Sequence, residues 1–138
     1  MKIKMDFVTN SSSTCFVIIV DEELKFDEFI NVIGIKNDSS FRDIYESLFY
    51  AFKDNLEPAR EFINTCRWRQ DGESVEDFIS RMYPPKTLEK FKEAEQKGKK
   101  VFMGWLSSEN NVIESFFCTD YFIIDSKNIY IDYSVDGW

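Results

Sequence analysis

The stretch Tyr121-Phe-Ile-Ile-Asp125 is followed by a short polar turn, Ser126-Lys127-Asn128, and then by Ile129-Tyr-Ile-Asp-Tyr133. Apolar and aromatic residues crowd both faces of the first run. In the second run, Ile129, Ile131 and Tyr133 alternate with Tyr130 and Asp132. This pattern is typical of a half-buried strand. The stretch therefore predicts a β-hairpin, with its first strand in the interior of a sheet and its second strand nearer an edge.

The N-terminal residues predict two further strands. Residues 1–8 alternate apolar with polar side chains, which is the period of a strand with one solvent-exposed face. Residues 9–14 are small and polar and favour a turn. Cys15-Phe-Val-Ile-Ile-Val20 is continuously apolar and rich in β-branched residues, which predicts a buried strand. We expect these two strands to pair as a hairpin with a long loop.

One run of residues in this N-terminal region resembles a stretch found in other proteins. The run Asp6-Phe-Val-Thr-Asn-Ser-Ser-Ser13, followed by Phe16, resembles an N-terminal stretch of small uncharacterised bacterial and phage proteins. Thr14 and Cys15 stand where those proteins continue their serine run. The resemblance implies a bacterial or mobile-element origin and assigns no activity.

The middle of the chain predicts helices. Apolar residues recur there at helical spacing, and each segment has a capping residue, a helix-starting proline or a terminal glycine. The helices are expected over residues 24–35, after Ser39 or Ser40, from Pro58 to about Arg69, after Ser74, and from a cap at Thr87 to Gly98.

The remaining segment completes the fold prediction. Val101-Phe-Met-Gly-Trp-Leu106 predicts a strand, and residues 107–118 fit either a helix or a strand, with the helix preferred. Strands at both ends of a chain with helices between them favour the α+β class. We expect one α+β domain over residues 1–138, in which a mostly antiparallel sheet of N- and C-terminal strands carries a central block of four to five helices on one face.

Composition favours a globular, acidic, cytoplasmic protein. The chain has 138 residues, a net charge of −8, and 14 Phe, 6 Tyr and 3 Trp, enough aromatic residues for a packed core. We expect no secretory signal and no membrane span. Cys15, Cys66 and Cys118 lie far apart beside apolar neighbours, which favours reduced thiols over a disulfide framework.

The sequence lacks the residues of common catalytic sites. It has no histidine, no CxxC pair and only five glycines, too sparse for a phosphate-binding loop. We therefore expect no catalytic residues and no cofactor. The exception is the C-terminal aspartates: Asp125 and Asp132, near Asp120 and Asp136, are candidate ligands for Mg²⁺ or Ca²⁺. Solvated acids at strand ends and turns are the alternative interpretation.

Acidic residues are concentrated at both ends of the chain. Residues 1–57 carry 11 acids against 6 bases, and residues 101–138 carry 6 against 1. Such a field repels nucleic acid and favours a basic protein partner. The densest group, predicted to bind that partner, is Asp21, Glu22, Glu23, Asp27 and Glu28. The alternative is a charged surface that serves solubility.

A second candidate for partner binding is Cys66-Arg-Trp-Arg-Gln70, since Trp and Arg dominate protein interfaces. Arg67, Trp68 and Arg69 are its proposed contacts. The alternative is a helix end in which the two arginines oppose the helix dipole and the tryptophan packs partly inward. Of the other basic features, Lys97-Gly-Lys-Lys100 is predicted to lie in a solvated loop and Lys127 at the tip of the hairpin turn.

These observations favour a non-catalytic acidic protein that binds a macromolecular partner. Inhibitors of basic nucleic-acid-acting enzymes, such as immunity or phage anti-defence proteins, work in this way through acidic surfaces. One alternative is a metal-dependent hydrolase that uses the C-terminal aspartates. Another is a subunit of a homo-oligomer that buries Trp105 and Trp138 between copies.

Overall fold

The structure of the protein is a computed structural model that describes residues 13–34, 42–107 and 122–136. Its elements are β1 (Ser13–Val20), α1 (Phe26–Ile33), α2 (Arg42–Asp54), β2 (Glu57–Pro58), α3 (Ala59–Thr65), α4 (Val75–Met82), α5 (Pro85–Gln96), β3 (Lys100–Ser107), β4 (Phe122–Asp125) and β5 (Ile129–Asp136). Several predictions lie outside the described residues: the strand at 1–8, the caps Ser39 and Ser40, the state of residues 108–118, and the sites of Cys118 and Trp138.

The strands form one antiparallel sheet, in the order β2-β3-β1-β5-β4. β1 lies in the middle and pairs with β3 on one side and β5 on the other. Every residue from Cys15 to Val20 is buried, because a central strand covered on both faces needs apolar side chains at each position. The predicted α+β class and the single antiparallel sheet are confirmed.

The predicted hairpin forms, but the positions of its two strands are reversed. β4 lies at the edge of the sheet, and β5 lies between β4 and β1. The side chains of β4 alternate between half-buried and exposed, whereas residues 129–133 of β5 are all buried. The prediction was wrong because the polar groups of Tyr130 and Asp132 have buried partners on a distant helix.

Helices cover both faces of the sheet, not the one face that the sequence predicted. α1 and α2 pack on what we call the aromatic face, which contains Phe16, Phe29 and Phe52. α3, α4 and α5 pack on what we call the mixed face, which contains Cys15, Tyr83, Phe91 and other residues. Since β1 is apolar on both sides, helices on only one face would leave half of it exposed to water.

Local signals placed several helix ends correctly. α1 ends at Gly34, whose φ of 86° belongs to the left-handed region that glycine adopts without strain. α4 begins after Ser74, and the Oγ of Ser74 accepts a hydrogen bond of 3.0 Å from the backbone N–H of Asp77. These ends were predictable because each depends on residues close together in sequence.

Two other helix ends differ from the prediction. α3 ends at Thr65, so Arg67, Trp68 and Arg69 lie in the loop that follows it. α5 begins at Pro85, which suits the first turn of a helix because it needs no N–H donor there. Thr87 is therefore not a cap, and its buried side chain faces the sheet.

Gly104 in β3 marks a close approach between backbone segments. A Cβ atom on this residue would lie 2.1 Å from the carbonyl oxygen of Asn55 and 3.0 Å from the Cζ of Phe16. Only a residue without a side chain fits there.

Across the described parts of the chain, no helix is both long and apolar enough to cross a bilayer.

Candidate functional site

The acidic residues predicted to bind a partner lie together in the connection from β1 to α1. We call residues 21–28 the acidic segment. Asp21, Glu22 and Glu23 are exposed in the connection, and Asp27 and Glu28 lie in the first turn of α1. Carboxylates at that position are favoured by the helix dipole. The structure thus places all five carboxylates on the short connection and the first helical turn that follow β1.

The acidic segment is little neutralised by its surroundings. Lys25 is its single basic residue. Asp21 Oδ1 lies 3.4 Å from the Nζ of Lys99, at the border with the mixed face. Glu22 and Glu23 form no ion pair within the described residues. Their charges therefore remain available to a partner.

Arg67, Trp68 and Arg69 lie in the loop that follows α3, where Trp68 packs on the mixed face, whereas the acidic segment lies on the connection from β1 to α1. The ring of Trp68 packs edge-on against Trp105, with ring centroids 5.0 Å apart, at the border of the mixed face. The guanidinium group of Arg67 lies 5.7 Å from the centre of the Trp105 ring. The two predicted partner-binding groups therefore do not form one surface.

Internal contacts hold the loop that contains these residues. The guanidinium of Arg81 on α4 binds both carboxylate oxygens of Glu73, at 2.8 and 2.9 Å, and donates to the carbonyl oxygen of Trp68 at 2.8 Å. The Nε of Arg69 donates to the carbonyl oxygen of Glu73 at 2.9 Å. The hydrogen bonds from Arg81 hold the pKa of Glu73 down at about 2. Trp68 and Arg69 thus have structural roles, whereas Arg67 is exposed.

Asp132, a candidate metal ligand, is fully buried on the mixed face. Thr87 Oγ1 donates to Asp132 Oδ2 at 2.5 Å and lies 2.6 Å from the hydroxyl oxygen of Tyr130. The other carboxylate oxygen accepts from the backbone N–H of Ser134 at 3.0 Å and from the Ser134 hydroxyl. Oδ2 therefore joins α5 to the sheet, and the other oxygen is used within β5.

Asp125, the second candidate, lies at the end of β4 between two lysines of α5. Its carboxylate pairs with Lys86 and lies 3.3 Å from the Nζ of Lys90. The hydrogen bond from Lys86 is the main cause of the lowered pKa of Asp125. Asp125 is thus an ionised partner of cations in this arrangement.

The described residues contain no group of three His, Cys, Asp or Glu side chains that could hold a metal ion. Asp120 and the side chain of Asp136 lie outside them. Cys15 is a poor nucleophile, because burial raises the pKa of its thiol to about 12. The Tyr83 hydroxyl donates to the Cys15 sulfur at 3.0 Å, and burial raises the pKa of Tyr83 as well.

The sequence did not indicate a hollow that lies between α5 and the turn joining β4 to β5. It has a volume of about 440 Å³. Four lysines contribute to its wall, and we call it the lysine hollow: Lys90, Lys97, Lys99 and Lys127. The lysines were visible in sequence as separate basic positions predicted to be solvated. Only the pairing of β4 with β5, beside α5, brings them together.

Comparisons of the chain with protein-family models, with curated proteins and with solved structures find no match.

Proposed function

We propose that this protein is a non-catalytic binding protein whose acidic segment contacts a basic macromolecular partner. The observation that carries the proposal is the density of charge at residues 21–28, four exposed carboxylates and the half-buried Glu28 against one lysine, on the connection from β1 and the first turn of α1. Carboxylates fixed on folded elements can occupy the basic surface of a partner without first being ordered. An acidic surface of this kind also speeds association by electrostatic steering.

The partner that fits this surface is a basic protein, and a nucleic-acid-acting enzyme is the class we favour. Its binding groove carries the cations that match Asp21, Glu22 and Glu23, so the acidic segment would compete with nucleic acid for that groove. The protein would then act as an inhibitor of the immunity or phage anti-defence type, in the cytoplasm where its cysteines stay reduced. Neither a nucleic acid nor a membrane surface matches the acidic segment.

The hydrolase alternative receives less support from the arrangement of the aspartates. Both oxygens of Asp132 accept hydrogen bonds from Thr87 and Ser134, and Asp125 is paired with lysines. A catalytic metal needs carboxylate oxygens that are free to bind it and open to substrate.

Arg67 remains a separate proposed contact for the partner protein. It lies beside a hollow of about 290 Å³ that Trp105 also lines.

The test combines capture of the partner with charge reversal. Wild-type protein immobilised on beads would be used to enrich a partner from cells that produce it, and the dissociation constant would then be measured by calorimetry. We expect affinity to fall as salt rises from about 50 to about 300 mM, and to fall about tenfold or more in the Glu22→Lys, Glu23→Lys double variant.

The matched control is the double variant Glu61→Lys, Glu89→Lys. Both residues are exposed, on α3 and α5 over the mixed face, and the change in net charge is the same. It should bind nearly as well as the wild type. Equal losses in both double variants would show that only net charge matters, and a partner bound equally by all three proteins would refute the assignment to the acidic segment.

A further inference from the structure

We propose that the lysine hollow binds a small organic phosphate. Its volume of about 440 Å³ falls within the range of about 300 to 1,000 Å³ that is typical of small-molecule sites. Ile19, Ala94 and Tyr130 also line it and belong to the mixed-face core. The hollow therefore offers an apolar floor for the body of a ligand and a charged wall for its anionic group.

The charges around the hollow leave an excess of cations. Lys97 pairs with Glu93 at 2.7 Å, and Lys99 pairs with Asp21 at 3.4 Å, so these two lysines are largely balanced. Lys127 at the turn forms no ion pair within the described residues.

Lys90 is only partly balanced. It shares Asp125 with Lys86, and the contact of Lys86 with that carboxylate is the shorter one. With Lys86 and Asp125 included, five lysines face three carboxylates, which leaves two positive charges. A phosphate monoester carries about two negative charges near neutral pH and so matches this excess.

The rest of the molecule favours a small ligand over a long polyanion. The chain has a net charge of −8, and the acidic segment begins at Asp21, on the rim of the hollow. A nucleic acid strand leaving the hollow would meet that repulsive surface, whereas a ligand held within the hollow would not. The local cation excess thus selects a compact phosphate, and of the acidic segment Asp21 lines the hollow whereas Glu22 and Glu23 do not.

The experiment is a calorimetric titration of the purified full chain with phenyl phosphate, which joins one phosphate to one aromatic ring. We expect a dissociation constant of about 1 mM or tighter, and weaker binding for phenol and for inorganic phosphate, each of which lacks one half of the probe. Lys127→Ala and Lys90→Ala should each weaken binding about tenfold, since each removes a charged contact to phosphate.

The matched control is Lys92→Ala. Lys92 is exposed on the same helix as Lys90 but does not line the hollow, so its replacement should leave the affinity unchanged. Circular dichroism would check that each variant is folded. Titrations with adenosine monophosphate and glucose 6-phosphate then identify the class of ligand. The ligand with the lower dissociation constant shows whether a nucleoside or a sugar packs better on the apolar floor of the hollow.

Three results would overturn the proposal. The first is no binding of any of these phosphates at about 10 mM. The second is a loss of affinity in Lys92→Ala equal to that in Lys127→Ala and Lys90→Ala. The third is tighter binding of a single-stranded DNA oligonucleotide than of phenyl phosphate, which would make the lysines part of a nucleic-acid surface.

Discussion

The two faces of the sheet use the same strands but hold their helices in different ways. On the aromatic face, Phe52 of α2 lies edge-on to Phe16 of β1 and Tyr133 of β5, with ring centroids 4.7 and 5.6 Å apart. On the mixed face, the hydroxyl of Thr87 joins α5 to Asp132. Aromatic packing tolerates small shifts, whereas a buried hydrogen bond has a narrow range of distance and angle.

The two faces therefore make different contributions to the fold. Burial of aromatic area is the larger source of stability, because each ring removes much apolar surface from water. Buried polar contacts add less net free energy, but they are costly to leave unsatisfied. The mixed face therefore constrains where α5 lies, and the position of α5 in turn forms the lysine hollow.

The largest effect is expected from Phe52→Ala on the aromatic face. Phe52 is fully buried and contacts aromatic rings from α1, β1 and β5. The change should lower the free energy of unfolding by about 3 to 5 kcal/mol, measured by urea denaturation. Tyr50→Ala is the control on the same helix: Tyr50 is 52% exposed, so the cost should be about 0.5 kcal/mol or less. Similar losses in both variants would contradict the importance of this packing.

A smaller effect is expected from Asp132→Asn on the mixed face. The amide keeps the shape of the side chain but replaces one acceptor oxygen with a donor, opposite either Thr87 or Ser134. The free energy of unfolding should fall by about 1 to 3 kcal/mol. Much of that loss should disappear when Thr87 is already Val, because the two residues share one hydrogen bond.

Asp125→Asn on the neighbouring strand is the matched control. It removes a charge that is paired with Lys86 and Lys90 at the surface, so it should cost about 1 kcal/mol or less. Additive effects of Asp132→Asn and Thr87→Val in the same urea titrations would show that the two residues do not act together, and the contrast between the faces would be lost.

The smallest effect is expected at the border of the mixed face, where Arg81 binds Glu73. The pKa of Glu73 is lowered from 4.5 to about 2, mainly by hydrogen bonds from Arg81. A carboxyl whose pKa is lower in the folded state stabilises the fold above its unfolded pKa, and this contribution is lost as the pH falls through the folded value. Glu73→Gln should therefore melt below the wild type near about pH 6, and the two melting curves should converge by about pH 2.

Arg81→Gln removes the other partner of this ion pair, so its melting difference from the wild type should also shrink as the pH falls, down to the part that comes from the lost hydrogen bond to Trp68. Fluorescence of Trp68 and Trp105 reports on the same loop, since the carbonyl oxygen of Trp68 accepts from Arg81. A melting difference between wild type and Glu73→Gln that is constant from about pH 6 to about pH 2 would show that this pair does not stabilise the loop.

Several features of the fold could be read from short stretches of sequence. Ser74 predicted the start of α4, Gly34 the end of α1, and the apolar run from Cys15 a buried strand. Each depends on neighbours within about one helical turn or on the period of one strand. The α+β class followed from the order of such elements.

The candidate sites were only partly predictable, because only some of their residues are close together in sequence. The acidic segment is continuous in sequence, so its exposed carboxylates could be identified directly. The lysine hollow joins Lys90 of α5 and Lys97, at the C-cap of that helix, to Lys127 in a turn about 30 residues later, and no local pattern links them. Asp132 likewise is buried beneath α5, where its partner Thr87 is 45 residues away in sequence.

Local sequence patterns were sufficient to predict the class of the fold, the core residues of β1, the acidic segment and several helix ends. Contacts between distant elements were needed to show that β5 is interior and β4 is at the edge, and that helices cover both faces of the sheet. The same is true of the burial of Asp132 and of the lysines that line the hollow. The physical reason is the separation in sequence between the residues that are in contact. Periodicity and caps report contacts between near neighbours, whereas strand order and buried polar partners are set by contacts between residues far apart in the chain.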